Sequence, residues 1–192
     1  RKDFPPIELR LLKAEEWLEG TVIYSDGKPA PGVRIIVNGG PSGYKETTTD
    51  MKGWYRLDKL IAGSEEISIE AGDRGWYRFK FIVTGLKHDF VLPVGQRVLA
   101  GTITDPSGKP MPGVNLTIDE NGAVSRAINI RTDVKGKFRF ESLRDAAVAI
   151  NASWIPNTSD MRGYRSKQFT NLTTNRTDVV LVFDNLPDDQ NG

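Results

Sequence analysis

The chain has 192 residues, no cysteine, and 26 Lys and Arg against 25 Asp and Glu, for a net charge of +1. That excludes a disulfide framework and any Cys-based zinc site, and it provides no field to hold nucleic acid. Apolar runs are too short for a membrane-spanning helix, while 19 Gly and 11 Pro favour many short strands joined by tight turns.

At about 150 residues per domain the length fits one large domain or two small ones. The chain opens on Arg1 with neither Met nor a signal peptide, so it is expected to be a processed form or a piece of a longer protein. Residues 1–14 read as a linker or as the last strand of an upstream repeat. Glu8-Leu9-Arg10-Leu11 stands 81 residues before Asp89-Phe90-Val91-Leu92, which favours a strand over 7–12. A helix remains the alternative, with Pro6 to start it and Gly20 to end it.

Alternation of apolar and polar residues then predicts seven strands at Trp17–Tyr24, Val33–Asn38, Tyr44–Thr49, Trp54–Asp58, Glu66–Ala71, Tyr77–Val83 and Asp89–Leu92. Seven more are predicted at Val98–Thr104, Val114–Asp119, Ser125–Thr132, Lys137–Glu141, Val148–Ala152, Arg165–Phe169 and Asp178–Phe183. The two sets are copies of one unit. Aligning 20–37 on 101–118 gives 8 identities in 18 positions, and 49–60 on 132–143 gives 6 in 12. The offset grows from 81 to 83, so one loop differs in length. The fold class expected is all-β, as two tandem seven-stranded sandwiches of Greek-key type, over 15–95 and 96–184, with a tail at 185–192.

The repeated turns have local causes. Asp26-Gly27 is a tight-turn pair, because glycine accepts positive φ. Asp50-Met51-Lys52-Gly53 and Asp133-Val134-Lys135-Gly136 place Asp first and Gly fourth, as a type I turn prefers. No helix follows these glycines, so they are not phosphate loops.

The pattern Gly20-Thr-Val22, Gly27-Lys-Pro-Ala-Pro-Gly-Val33, Thr49-Asp-Met-Lys-Gly53, Tyr55, Leu57, Leu60 resembles the carboxypeptidase regulatory-like domain. It returns as Gly101, Ile103, Gly108–Val114, Thr132–Gly136, Phe138, Phe140 and Leu143. The resemblance implies a transthyretin-like (prealbumin-like) sandwich without catalytic activity of its own, appended to other domains at a bacterial cell surface or in a periplasm.

No catalytic constellation is visible, and neither a cofactor nor a metal is expected. The single histidine, His88, reads as an exposed residue at a strand edge; beside Asp89 it cannot form a triad without a placed nucleophile. Carboxylates at Asp26, Asp50, Asp119, Glu120, Asp184, Asp188 and Asp189 read as solvated turn residues. A Lys–Asn isopeptide bond of the pilin kind needs buried polar partners, and the inward positions read as apolar.

The tryptophans are the best lead. By period two, Trp17, Trp54 and Trp76 point away from the core, with Tyr77, Phe79, Phe81 and Val83 inward. Arg56, Arg74, Arg78 and Lys80 lie near them, and Trp154 sits in the long loop Ser153–Gly163. The candidate ligand or interface residues are therefore Trp17, Trp54, Trp76, Arg56, Arg78 and Trp154. Packing against a neighbouring unit is the leading reading, then burial under loops, then a sugar-stacking platform. Five Asn-x-Ser/Thr patterns begin at Asn115, Asn151, Asn157, Asn171 and Asn175 and would be glycosylation acceptors only in a eukaryotic secreted protein.

The function expected is a non-catalytic spacer or docking module of a larger extracytoplasmic protein, with neighbouring domains of the same polypeptide as partners. The alternatives are carbohydrate or cell-surface ligand binding through the tryptophans, and an accessory segment of an enzyme whose catalytic domain lies elsewhere.

Overall fold

The computed structural model describes residues 12–38, 40–120, 124–155 and 163–184. The strand or helix expected over 7–12 lies outside these apart from Leu12, as do 156–162 of the long loop and the tail 185–192.

Alternating burial builds the strands. The first unit holds β1 (Glu16–Tyr24), β2 (Arg34–Val37), β3 (Lys45–Thr48), β4 (Trp54–Leu60), β5 (Ser64–Glu70), β6 (Trp76–Val83), β7 (Leu86–Lys87) and β8 (Phe90–Leu92). The second holds β9 (Arg97–Thr104), β10 (Asn115–Glu120), β11 (Ser125–Arg131), β12 (Lys137–Leu143), β13 (Ala147–Trp154), β14 (Arg165–Thr173) and β15 (Arg176–Val182). The two-residue β7 has no counterpart among the expected strands.

Topology repeats with the sequence. In the first unit β4-β1-β7 forms a small sheet, with β8 also paired to β1; its counterpart is β12-β9-β15. The other strands form one eight-stranded sheet, β14-β13-β10-β11-β6-β5-β2-β3. Its halves repeat strand for strand. They meet where β11 pairs antiparallel with β6, through Ser125↔Arg78, Arg126↔Tyr77 and Ala127↔Trp76.

Each unit has its own core. Leu18, Val22, Val33, Ile35, Tyr55, Leu57, Leu60, Ile67 and Phe90 fill the first. Leu99, Ile103, Val114, Leu116, Phe138, Phe140, Leu143, Ile150 and Val179 occupy the matching places in the second. The apolar side of each strand is thus repeated with the sequence, which is the pattern a two-sheet sandwich requires.

The Thr-Asp turns hold more than a reversal. Gly53 N–H donates to Asp50 O at 3.0 Å, and Gly136 N–H to Asp133 O at 2.9 Å. The buried hydroxyl before each Asp pins the Pro-Gly loop. Thr49 Oγ1 donates to Ala30 O at 2.6 Å and accepts from Val33 N–H at 3.1 Å. Thr132 Oγ1 does the same with Met111 O at 2.8 Å and Val114 N–H at 2.9 Å. Gly53 has φ 77°, and a Cβ there would meet Val22 O at 2.4 Å, so both the turn and the close strand demand glycine.

Two expectations need correcting. Val83 is not inward: a β-bulge between Glu65 and Ile67 inserts a residue in β6, so Ile82 is buried at 7% exposure and Val83 stands out at 49%. Nor are the inward positions all apolar, since Glu65, Glu120 and Arg126 are buried. Glu65 is held by Ser42, whose N–H donates to Oε1 at 3.1 Å and whose hydroxyl donates to the same oxygen. Glu120 is therefore not a solvated turn residue, because it ends β10 at the junction of the units.

Candidate functional site

The six candidate residues do not form one platform. On the outer face of the small first sheet, β1 presents Trp17, Glu19 and Thr21, and β4 presents Trp54, Arg56 and Asp58, in antiparallel register. The Arg56 guanidinium lies 5.3 Å from the Trp17 ring centre, 2.5 Å from Glu19 Oε2 and 2.9 Å from Asp58 Oδ1. Hydrogen bonds to Asp58 and then Glu19 raise its pKa further. Trp17 is half-buried under this arginine. Arg56 is thus engaged within its own face, and Trp54, at 44% exposure, is the open ring there.

Trp76 and Arg78 belong to the other sheet. Trp76, at 38% exposure, is the register partner of Glu70 on one side and Ala127 on the other, so it stands where the two units meet. Trp154 is not a loop residue: it ends β13, half-buried and packed against the second core. Period-two reading missed this because the strand runs past Ala152 into the segment taken for loop. His88 is half-buried rather than exposed, with its ring 4.7 Å from that of Phe90. Its carbonyl accepts from Tyr55 Oη–H at 2.8 Å. Burial, then the charges of Asp89 and Glu19, push the Tyr55 pKa up.

The junction holds the most elaborate polar cluster among the described residues. Arg126 projects inward from β11 with a fully buried side chain. Its Nε donates to Arg74 O of the first unit at 2.7 Å, and its Nη1 donates to Ser142 O at 2.7 Å and Glu120 Oε2 at 3.0 Å. The guanidinium lies 5.5 Å from the ring centre of Tyr77, also of the first unit. Glu120 is fixed in turn by Arg144, whose backbone N–H reaches Oε1 at 2.7 Å and whose Nε lies 3.4 Å from Oε2. Gly75, at φ 92°, lets the strands close: a Cβ there would meet Ala127 O at 2.3 Å. Nothing in the alternation announces this cluster, but an Arg at an inward position of an otherwise apolar strand was its signal.

Other acids accept from backbone N–H groups. Asp89 Oδ1 accepts from Thr21 N–H at 2.7 Å and from Thr21 Oγ1 at 2.8 Å, which lowers its pKa. Asp133 accepts two backbone N–H groups, from Lys135 and Lys137, each at 2.8 Å, and is likewise lowered. Among the described residues no group of three or more His, Cys, Asp or Glu side chains could hold a metal ion, and no helix is long and apolar enough to cross a membrane.

The architecture is nearly all-β, with a repeated two-sheet core. Residues 98–183 match the family model of the carboxypeptidase regulatory-like domain. No curated protein matches the chain. Among solved structures, the chain is similar to the minor pilin of Streptococcus agalactiae, at 15% identity and TM-score 0.38, covering 92% of this chain and 98% of that one. It is also similar to the shaft pilin SpaA of Lactobacillus rhamnosus GG (12% identity, TM-score 0.32, 90% and 99% covered). A third is the Bacillus anthracis TIE protein (17% identity, TM-score 0.35), where 90% of this chain covers only 34% of that one. The chain thus spans about a third of the length of that protein.

Proposed function

We propose that the chain is a non-catalytic tandem β-sandwich module of a larger extracytoplasmic protein, which spaces or docks the domains attached to it. In this reading residues 15–95 form a second copy of the domain matched at 98–183, and neighbouring domains of the same polypeptide are the partners. The observation that carries it is the junction. The β11–β6 ladder joins the larger sheets of the two units into one, and Arg126 ties β11 to a carbonyl and a ring of the first unit. Two sandwiches fixed in this way hold their ends at a set separation, which is what a spacer must do. Incubation of the chain with peptidase, glycosidase and esterase substrates is expected to give no turnover; turnover that survives repurification would overturn the proposal.

A second reading is carbohydrate binding through exposed aromatic rings, supported by Trp54 and Trp76, each more than a third exposed on an outer sheet face. Flat rings of this kind stack on the C–H faces of sugars.

A further inference from the structure

The Asn-x-Ser/Thr patterns of the second unit gain a different sense on the fold. Residues i and i+2 of a strand share a face. Asn115 and Thr117 on β10 therefore point the same way, as do Asn151 and Ser153 on β13, Asn129 and Arg131 on β11, and Ser166 and Gln168 on β14. They alternate with Leu116, Ile118, Ile128, Ile150 and Ala152, which fill the second core. Strand register sets them in rows. Gln168 stands opposite Asn151, Asn151 opposite Thr117, and Thr117 opposite Asn129. A parallel row runs Ser166, Ser153, Asn115, Arg131. The array repeats at about 4.8 Å across strands and about 6.8 Å along them.

Its side chains are held in place. Thr117 Oγ1–H donates to Asn129 Oδ1 at 2.6 Å, and Gln168 Nε2–H donates to Asn151 Oδ1 at 2.9 Å. Asn151 Nδ2–H in turn donates to Asp119 Oδ2 at 3.4 Å, and none of these bonds uses the Asn129 amide nitrogen or the Gln168 amide oxygen. An open depression of about 440 Å³ lies over the paired strands β10 and β11, lined by Asn115, Leu116, Thr117, Asn129, Ile130 and Arg131. One strand beyond Ala127 stands Trp76. The neutrality is local. The first unit's half of this sheet carries Arg34, paired with Glu46 at 3.2 Å and Glu70 at 3.3 Å, and then Arg78 and Lys80.

We propose that this face binds a segment of an uncharged polysaccharide, laid across Gln168, Asn151, Thr117 and Asn129 with Trp76 stacking at its end. Amides and hydroxyls both donate and accept, which suits the neighbouring hydroxyls of a sugar. Along β10, β11, β13 and β14 the array's neighbours of opposite charge are Asp119 and Arg131, and Arg78 lies only beyond Trp76 on β6. Hydrogen bonds made within the array before binding reduce the ordering cost on binding. The inference deepens the carbohydrate reading and rests on it, and it narrows the site from the two exposed rings to the sheet that carries Trp76.

Native affinity electrophoresis in gels containing hydroxyethylcellulose, xylan or galactomannan tests it. The full chain is expected to be retarded by at least one of them, with the retardation lost in Asn129→Ala/Asn151→Ala and at least halved in Trp76→Ala. Val180→Ala, exposed on the small second sheet, is expected to migrate as the parent. A second double variant, Thr117→Val/Gln168→Ala, guards against misfolding of the first, and near-ultraviolet circular dichroism verifies the fold of each. No retardation in any gel overturns the carbohydrate reading itself. Retardation that Trp54→Ala alone abolishes keeps that reading and overturns this site. Self-association that the array variants abolish, seen by sedimentation without polysaccharide, also overturns it.

Discussion

Replacing Arg126 by Met should loosen the junction more than any exposed substitution could. The side chain is fully buried and makes three hydrogen bonds, two to backbone carbonyls and one to Glu120. Met keeps the volume and removes all three. Breaking a buried pair by deleting one partner costs about 3–5 kcal/mol, because the other charge stays buried. Glu120 retains the Arg144 N–H at 2.7 Å and Nε at 3.4 Å, which places the expected loss near the lower bound, about 3 kcal/mol. For a chain of this length that is roughly 6–12 °C in Tm, read by differential scanning calorimetry at pH 7. Converting both partners, Arg126→Met with Glu120→Leu, should recover part of the loss, since the stranded carboxylate is gone while Arg74 O, Ser142 O and the Arg144 N–H stay unpaired. A shift of less than about 2 °C for Arg126→Met, or a double variant that melts below the single one, would refute a stranded Glu120 as the source of the loss.

Two further outcomes follow from local geometry. Gly20→Ala puts a Cβ 2.0 Å from His88 O, where only backbone can yield; a loss of at least about 2 kcal/mol in urea unfolding is expected, and an unchanged midpoint would contradict the close approach. Asp89 has a lowered folded-state pKa through its Thr21 hydrogen bonds, so its contribution is present above the ordinary value near 3.8 and is lost as pH falls through the lower folded value. Asp89→Ala should therefore melt below the parent at pH 7, with the gap closing toward pH 2; a gap that widens on acidification would refute the assignment.

How much of this was legible in the sequence depends on what each residue had to reveal. The strands were readable because the inward residues alternate and then repeat: Leu18 with Leu99, Val22 with Ile103, Tyr55 with Phe138, Leu60 with Leu143. Parity failed at Val83, because one bulged residue reverses every side chain beyond it. At Trp154 parity holds, with Val148, Ile150, Ala152 and Trp154 all on the core side, and only the end of β13 was set too early. Thr49 and Thr132 were expected as the last residues of strands, and their buried hydroxyls became visible only when the Pro-Gly loop was seen folded over them. The junction was harder still. Arg126, Tyr77 and Arg74 are brought together by a pairing between units, and periodicity within one unit carries no information about its neighbour. The same holds for the Asn and Thr rows, whose i, i+2 spacing was plain in the chain while their alignment across four strands was set by register.

The central claim is that the two sandwiches hold a fixed relation to one another. Met51 and Val134 occupy the same place in the repeated turns, and each is more than 80% exposed. With no native cysteine, Met51→Cys/Val134→Cys accepts spin labels at those two sites alone. Pulsed electron–electron double resonance should give a single narrow distance distribution, which broadens when Arg126→Met is added. A broad or multimodal distribution in the parent chain would contradict a rigid junction and, with it, the spacer reading.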